Sequence, residues 1–240
     1  MGALLFLLVY AWPHAANAEP LATRLPPPPG AARVAVGEGS FGAFLRRLPL
    51  KPAGAAVHLY DGTPKARQDV HAAVVDLDVP PRDLQQCADA VMRLWAEYRY
   101  ARGDVVAFHP DPGRPRALRF DARTQARGAF ERWLIGVFAD AGSASLQAEL
   151  RAVDGAPQPG DVLIQGGYPG HAVLVLDVAV DQGAGRRWLL LGQSYMPAQE
   201  FHVLRNPAGG VWYDAAPLAS PSGLTTPEWR PFFARDLRRF

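Results

Sequence analysis

The chain has 240 residues, of which 49% are hydrophobic and 20% are charged, and its formal net charge is +2. This composition is typical of a folded domain with a substantial core, and it argues against intrinsic disorder. The small net charge gives no electrostatic basis for binding nucleic acid, so we predict no nucleic-acid partner.

The N-terminus has the pattern of an export signal. Residues 3–12 form an apolar run that is too short to span a bilayer comfortably, and Ala16-Asn17-Ala18 is a small-x-small cleavage site. We therefore predict cleavage before Glu19, a periplasmic or secreted mature protein, and no stable membrane span after cleavage. No cysteine lies directly after the apolar run, so a lipoprotein is not expected. A core helix over residues 3–12 is the alternative.

The mature chain is predicted to begin with a linker and one domain. Residues 19–39 surround a run of four prolines, Pro26–Pro29, and are expected to form a stiff Pro-rich linker. A single domain is expected over residues 40–240. The first half of that domain is predicted to contain a helix over 41–48 capped by Ser40, strands over 55–60 and 70–79, and a strong helix that begins at Asp83.

The second half of the chain changes character. Residues 103–122 lack a regular pattern and are rich in Pro and Arg. The predicted elements after them are helices over 124–139 and 143–150, strands over 162–164, 172–180, 188–191 and 201–204, and a terminal helix capped by Thr226. Helices followed by an antiparallel sheet predict an α+β fold.

Cys87, the only cysteine, lies in the first turn of the strong helix. The partial positive charge of a helix N-terminus favours the thiolate, which is the nucleophilic form of cysteine. Cys87 also lies on the apolar stripe of the helix, so a buried core thiol is the alternative interpretation.

His171 follows the loop Gly166–Gly170 and precedes an apolar strand. A strand start beside a glycine-rich loop would hold an imidazole in place and leave room for a substrate, as a general base requires. The alternative is a strand-end histidine bonded to solvent. The other histidines are interpreted as structural.

A third polar group should orient the imidazole. Pairing of the strands on either side of residues 181–185 brings 193–196 near His171, and Gln193 is the predicted partner. Because strand register is uncertain by one or two residues, Ser194 and Glu200 remain alternatives.

Other side chains could act on the substrate. Gln85 and Gln86, directly before the cysteine, could donate hydrogen bonds to an oxyanion, and Tyr168 in the loop could contact the substrate. His171, Asp177, Glu200 and His202 lack the close spacing of metal ligands, so neither a metal nor another cofactor is predicted.

Three segments, residues 84–94, 168–173 and 193–200, resemble those of an uncharacterised exported bacterial family that is known only as a domain of unknown function. Thr226-Pro227-Glu228-Trp229 also fits, so the resemblance covers roughly residues 38–240. It implies no activity.

More distantly, the chain is similar to the NlpC-type and CHAP papain-like cysteine hydrolases of cell walls. This resemblance implies a papain-like core in which a helix carrying Cys87 packs on an antiparallel sheet carrying His171, with Cys87 as nucleophile and His171 as base. The Asp-Cys-Ser-Gly motif of those enzymes is Gln86-Cys87-Ala88-Asp89 here, and the stretch between Cys87 and His171 is longer than in compact members.

The leading functional hypothesis is therefore an exported cysteine hydrolase that cleaves an amide or isopeptide bond. Peptidoglycan or an envelope peptide is the expected partner. A non-catalytic envelope domain that binds ligands in the same cleft is the first alternative, and a structural fold with Cys87 in its core is the second. The sequence does not indicate an oligomeric state.

Overall fold

The computed structural model describes residues 18–111 and 116–240, so the predicted signal peptide, apart from Ala18, lies outside the described residues. The helices are α1 (Leu21–Arg24), α2 (Phe41–Arg46), α3 (Cys87–Ala101), α4 (Arg127–Asp140) and α5 (Ser143–Glu149), with 3₁₀ turns at Ala216–Ala219 and Ala234–Asp236. The strands are β1 (Glu19–Pro20), β2 (Ala31–Arg33), β3 (Pro49–Leu50), β4 (His71–Val74), β5 (Val105–Phe108), β6 (Leu118–Asp121), β7 (Arg151–Ala152), β8 (Val162–Gln165), β9 (His171–Asp181), β10 (Arg187–Gln193), β11 (His202–Leu204), β12 (Trp212–Asp214), β13 (Leu224–Thr226), β14 (Trp229–Phe232) and β15 (Leu237–Arg239).

An antiparallel sheet forms the centre of the molecule, and the predicted α+β class is confirmed. Its strand order is β4-β11-β10-β9-β8-β15-β7, while β12 also pairs with β10 and β2 with β9. The register pairs His171 with Gln165 on β8 and Gly192 with Leu174 on β9. The start of β9 and the end of β10 therefore lie at the same end of the sheet.

The sheet is buried on both faces, which explains why β9 is almost continuously apolar. Successive side chains of a strand point to opposite faces. Leu174 and Leu176 belong to the larger core cluster, which includes residues of α2 to α5. Val173 and Val175 belong to a second cluster, where Leu224 and Phe232 from the β13–β14 hairpin cover the other face.

Helix α3 packs on β9 but begins later than predicted. Its first residue is Cys87, not Asp83. The Asp83 carboxylate accepts hydrogen bonds from the Gln86 side chain at 3.0 Å and from the Ala198 N–H at 2.6 Å, so it holds residues 83–86 as a loop. Asp89 supplies the cap instead, because its carboxylate accepts from the Gln86 N–H at 3.1 Å.

The predicted terminal helix at Thr226 is wrong. Thr226 pairs with Trp229 in the β13–β14 hairpin, and Pro227 and Glu228 form its turn. Buried Phe232 and Leu224 make this segment a cover for the sheet, and that long-range packing overrides the local capping pattern. Residues 55–60 form isolated bridges rather than a strand, and the segment predicted to be irregular contains the β5–β6 hairpin.

Residues 19–39, the predicted Pro-rich linker, are integrated into the domain. β1 pairs with β3 and β2 pairs with β9. Leu21 is fully buried, and the Arg33 guanidinium donates to the buried Asp177 carboxylate at 2.5 Å. The apolar and charged residues around the proline run attach this segment to the core.

Within residues 18–111 and 116–240, none of the helices has the length and apolar character needed to cross a membrane.

Candidate active site around Cys87 and His171

Cys87 is buried at the N-terminus of α3, where the helix meets the start of β9. The thiol is 5% exposed, and the backbone N–H of Ala172 interacts with its sulfur. Burial raises the pKa of the thiol to about 11, and the nearby Asp89 raises it further, while the backbone N–H groups around the sulfur act in the opposite direction. Desolvation therefore outweighs the effect of the helix N-terminus, and the resting group is a neutral thiol.

His171 is fully buried among aromatic side chains. Its ring centroid lies 5.1 Å from that of Tyr195 and 4.9 Å from that of Trp229. Burial lowers the imidazole pKa to about 4, the hydrogen bond to Gln193 raises it in part, and Lys65 lowers it. His171 is therefore neutral near pH 7, as a general base must be before it accepts a proton.

Gln193 binds one nitrogen of the His171 ring. His171 Nε2 and Gln193 Oε1 are 2.9 Å apart, and both residues are fully buried. The other end of the Gln193 amide contacts a charged pair. Its Nε2 donates to Glu228 at 2.9 Å, and Glu228 binds Lys65 at 2.7 Å. His171 Nδ1 is buried and has no hydrogen-bond partner among the described residues.

Among the described residues, no hydrogen bond joins the thiol to the imidazole. Cys87 contacts the N–H of Ala172, the residue directly after His171. Nε2 of the ring is engaged by Gln193, and the described residues place no hydrogen bond between the sulfur and Nδ1. The His171 ring lies with Trp229 and Phe232 on the hairpin face of the sheet, whereas α3 packs on the opposite face with Ala172. A catalytic role for the thiol and the imidazole therefore stays a prediction.

Gln85 has an unused donor beside the helix start. Its Oε1 accepts from the buried Arg93 guanidinium at 3.2 Å, whereas its Nε2 is buried without a partner. A buried, unpaired amide N–H is costly, and an oxyanion would satisfy it. Gln86 is different, because its amide donates to Asp83 at 3.0 Å and is engaged in holding the loop.

The remaining candidate residues, Ser194, Glu200 and Tyr168, have hydrogen-bond partners other than the imidazole of His171. The Ser194 hydroxyl donates to the carbonyls of Gln199 at 2.8 Å and Gln85 at 3.3 Å, so it fixes local backbone. Glu200 instead binds Lys51 and His58. Tyr168 is 81% exposed, and its hydroxyl contacts Asp111.

A cavity of about 690 Å³ opens beside the aromatic side chains that cover His171. Its lining includes Tyr195, Glu228 and Trp229, the residues that touch His171 or its Gln193 partner. These side chains separate the cavity from the imidazole. A substrate in the cavity would therefore lie directly outside the candidate site.

The sequence analysis missed four residues of this site: Lys65, Tyr195, Glu228 and Trp229. Glu228 and Trp229 were placed in a terminal helix, and Lys65 lies more than a hundred residues from any residue that it contacts here. One feature of the sequence could have drawn attention to Lys65: it is one of only two lysines in the chain. Among the described residues, no group of His, Cys, Asp and Glu side chains could hold a metal ion.

A family model described as Domain of unknown function (4846) matches residues 21–116 and 115–239. No curated protein and no solved structure matches the chain. The family match spans almost the whole domain, including Cys87, His171, Gln193 and Glu228. The chain therefore belongs to DUF4846, a family of domains of unknown function.

Proposed function

We propose that this protein is an exported cysteine hydrolase that cleaves an amide or isopeptide bond, with Cys87 as nucleophile and His171 as general base. The observation that carries the proposal is the state of the imidazole. Its Nε2 is bound by Gln193, while its Nδ1 is buried and unpartnered among the described residues, and the thiol lies against Ala172, the next residue of the strand. A papain-like core and a peptidoglycan or envelope-peptide substrate belong to the same proposal.

The reaction follows the usual steps of thiol acyl transfer. The Cys87 thiol gives its proton to Nδ1 of His171 as the sulfur attacks the substrate carbonyl, and the oxyanion accepts hydrogen bonds from nearby donors such as the Gln85 amide. Collapse of the intermediate expels the amine, which takes the proton from the imidazolium. Water, deprotonated by His171, then hydrolyses the thioester and restores the thiol.

The resting pKa values place a condition on this mechanism. A thiol with a pKa of about 11 and an imidazole with a pKa of about 4 do not form an ion pair by themselves. The proton must therefore move as the carbonyl is attacked, after the substrate has displaced the cover formed by Tyr195 and Trp229 and the sulfur and the imidazole have come into contact.

A non-catalytic binding domain is the second candidate, and the burial of Cys87 and His171 favours it. Such a domain would bind its ligand in the cavity beside Tyr195 and Trp229 without using the thiol. The two candidates differ in whether product is released.

The deciding experiment pairs product release with thermal stability. Wild-type protein is incubated with purified peptidoglycan and with peptide amides, alongside Cys87→Ser, His171→Ala and the double variant. We expect each single change to remove turnover as completely as the double change, because the two groups act as one unit. His109→Ala is the matched control, since His109 is exposed and pairs with Glu149.

If wild-type protein binds these substrates but releases no product from any of them, the hydrolase proposal is contradicted and the binding-domain alternative is supported. Cys87→Ser with full turnover would exclude the thiol as nucleophile.

A further inference from the structure

A charged pair, Lys65 and Glu228, lies behind Gln193 on the side of its amide nitrogen. An imidazole with one proton can accept a proton only at its other nitrogen, so the tautomer decides which side of the ring acts as base. The residues that fix this choice lie outside the proposed Cys87, His171 and Gln193 set.

The direction of the Gln193 amide follows from Glu228. A carboxylate only accepts hydrogen bonds, and Glu228 Oε2 lies 2.9 Å from the Gln193 amide, so the NH₂ group must face Glu228. The carbonyl oxygen of Gln193 is then the atom that faces His171, at 2.9 Å from Nε2. A carbonyl oxygen only accepts, so Nε2 must carry the proton.

Lys65 binds the other carboxylate oxygen of Glu228. The ammonium lies 2.7 Å from Glu228 Oε1, and both side chains are 8% exposed. Glu228 Oε1 is thus engaged by a cation, and Glu228 Oε2 is the oxygen that faces the Gln193 amide. Lys65 is itself held in place by the Gln199 amide oxygen at 3.3 Å and the Tyr195 ring at 5.2 Å.

We infer that Lys65 and Glu228 are positioning residues that, through Gln193, hold His171 in the Nε2–H tautomer and leave Nδ1 as the basic nitrogen. The inference rests on the proposed function for its purpose, because a basic Nδ1 is what the Cys87 thiol needs. The relay itself is a property of the folded protein and can be measured without substrate.

The test measures the tautomer directly by ¹⁵N NMR of the imidazole nitrogens in wild type, Glu228→Gln and Glu200→Gln. Glu200 is the matched control, because it also pairs with a lysine, Lys51, at a mostly buried site but touches neither His171 nor Gln193. We expect Nε2–H alone in wild type and in Glu200→Gln. Glu228→Gln can present either a donor or an acceptor to Gln193, so we expect a detectable Nδ1–H population.

Wild type in the Nδ1–H form, or a folded Glu228→Gln that keeps wild-type ring shifts, would overturn the inference. If Glu228→Gln does not fold, Glu228→Asp, which shortens the carboxylate arm, is read in the same way. Where hydrolysis is measurable, Glu228→Gln should lower kcat at least tenfold with little change in KM, and Glu200→Gln should not. A wild type that shows no turnover but the expected tautomers would refute the proposed function and not the relay.

Discussion

Single residues at the site are controlled more by burial than by local sequence. The helix N-terminus predicts a reactive thiol at Cys87, yet removal from water raises its pKa to about 11. The same desolvation lowers the pKa of His171 to about 4. Both groups are neutral near pH 7, and the features that could make them reactive are the orientation of the imidazole and the arrival of a substrate.

Alkylation of Cys87 should therefore be slow in the folded protein. A pKa of about 11 leaves about one thiolate per ten thousand molecules at pH 7, and the sulfur is almost inaccessible. We expect iodoacetamide to label the native chain at least a hundredfold more slowly than the chain in urea, as followed by intact mass. Rapid native labelling below neutral pH would contradict the closed arrangement.

The buried imidazole should make the protein sensitive to acid. His171 has an ordinary pKa of 6.5 in the unfolded chain and about 4 in the folded one, so its contribution to stability is complete above pH 6.5 and is lost as the pH falls toward 4. Between pH 6.5 and 5 this amounts to about 2 kcal/mol. Urea unfolding at both pH values should show this loss for wild type relative to His171→Gln.

The comparison with His171→Gln is needed because other buried groups titrate in this range. His202, whose pKa is lowered by burial to about 3, adds a loss of the same sign, while Asp89, whose pKa is raised by burial, acts in the opposite direction. These contributions are common to both proteins. Equal pH dependence of the two would show that His171 is not held neutral by burial.

The elements around the site are joined by close backbone contacts. The loop before β9 packs on the start of α5, where the Ser143 hydroxyl donates to the Gly167 carbonyl at 3.1 Å. A Cβ at Gly170 would lie 2.6 Å from that carbonyl oxygen and 2.0 Å from the Ser143 hydroxyl. The glycine directly before His171 is thus required by a close approach of the chain, which fixes where the strand begins.

Gly170→Ala should consequently move the loop and lower stability by about 1–3 kcal/mol, as overpacking against backbone does. Gly183→Ala, in the turn between β9 and β10, is the control, because a Cβ there meets only the Asp181 side chain at 3.5 Å. Thermal unfolding of the two variants provides the comparison. A Gly170→Ala protein as stable as the Gly183→Ala protein would refute the close approach.

An N-terminal segment is anchored to the central sheet through one buried carboxylate. Asp177 on β9 is fully buried and accepts from Arg33 at 2.5 Å and from Arg46 at 2.7 Å. Arg33 belongs to β2 and Arg46 to α2. One carboxylate therefore connects residues 19–39 and the second helix to the strand that begins with His171.

Asp177→Ala should destabilise the protein by about 3–5 kcal/mol, because it leaves two arginines without their partner in a mostly buried place. Asp69→Ala removes an exposed ion pair with Arg67 and should have little effect. Urea unfolding at pH 7 measures both. A small effect of Asp177→Ala would mean that the N-terminal segment is not anchored through this carboxylate.

Local patterns were sufficient to predict much of the fold and part of the site. The capping of α2 by Ser40, the amphipathic helices α3 to α5, the apolar strands β8 to β11 and the partnership of His171 with Gln193 follow from periodicity, turn residues and hairpin pairing. These features depend on neighbours in the sequence or across one turn, so their signals are present in the chain itself.

Tertiary packing alone decided the remainder. The burial that sets the pKa values of Cys87 and His171, the hairpin that replaces the predicted terminal helix, and the pairing of Lys65 with Glu228 all join residues far apart in the sequence. Desolvation and long-range ion pairs depend on which surfaces meet, and no local pattern encodes that. The sequence thus specifies which groups are available for chemistry, and the packing of the sheet, helix and hairpin determines their protonation and their access to substrate.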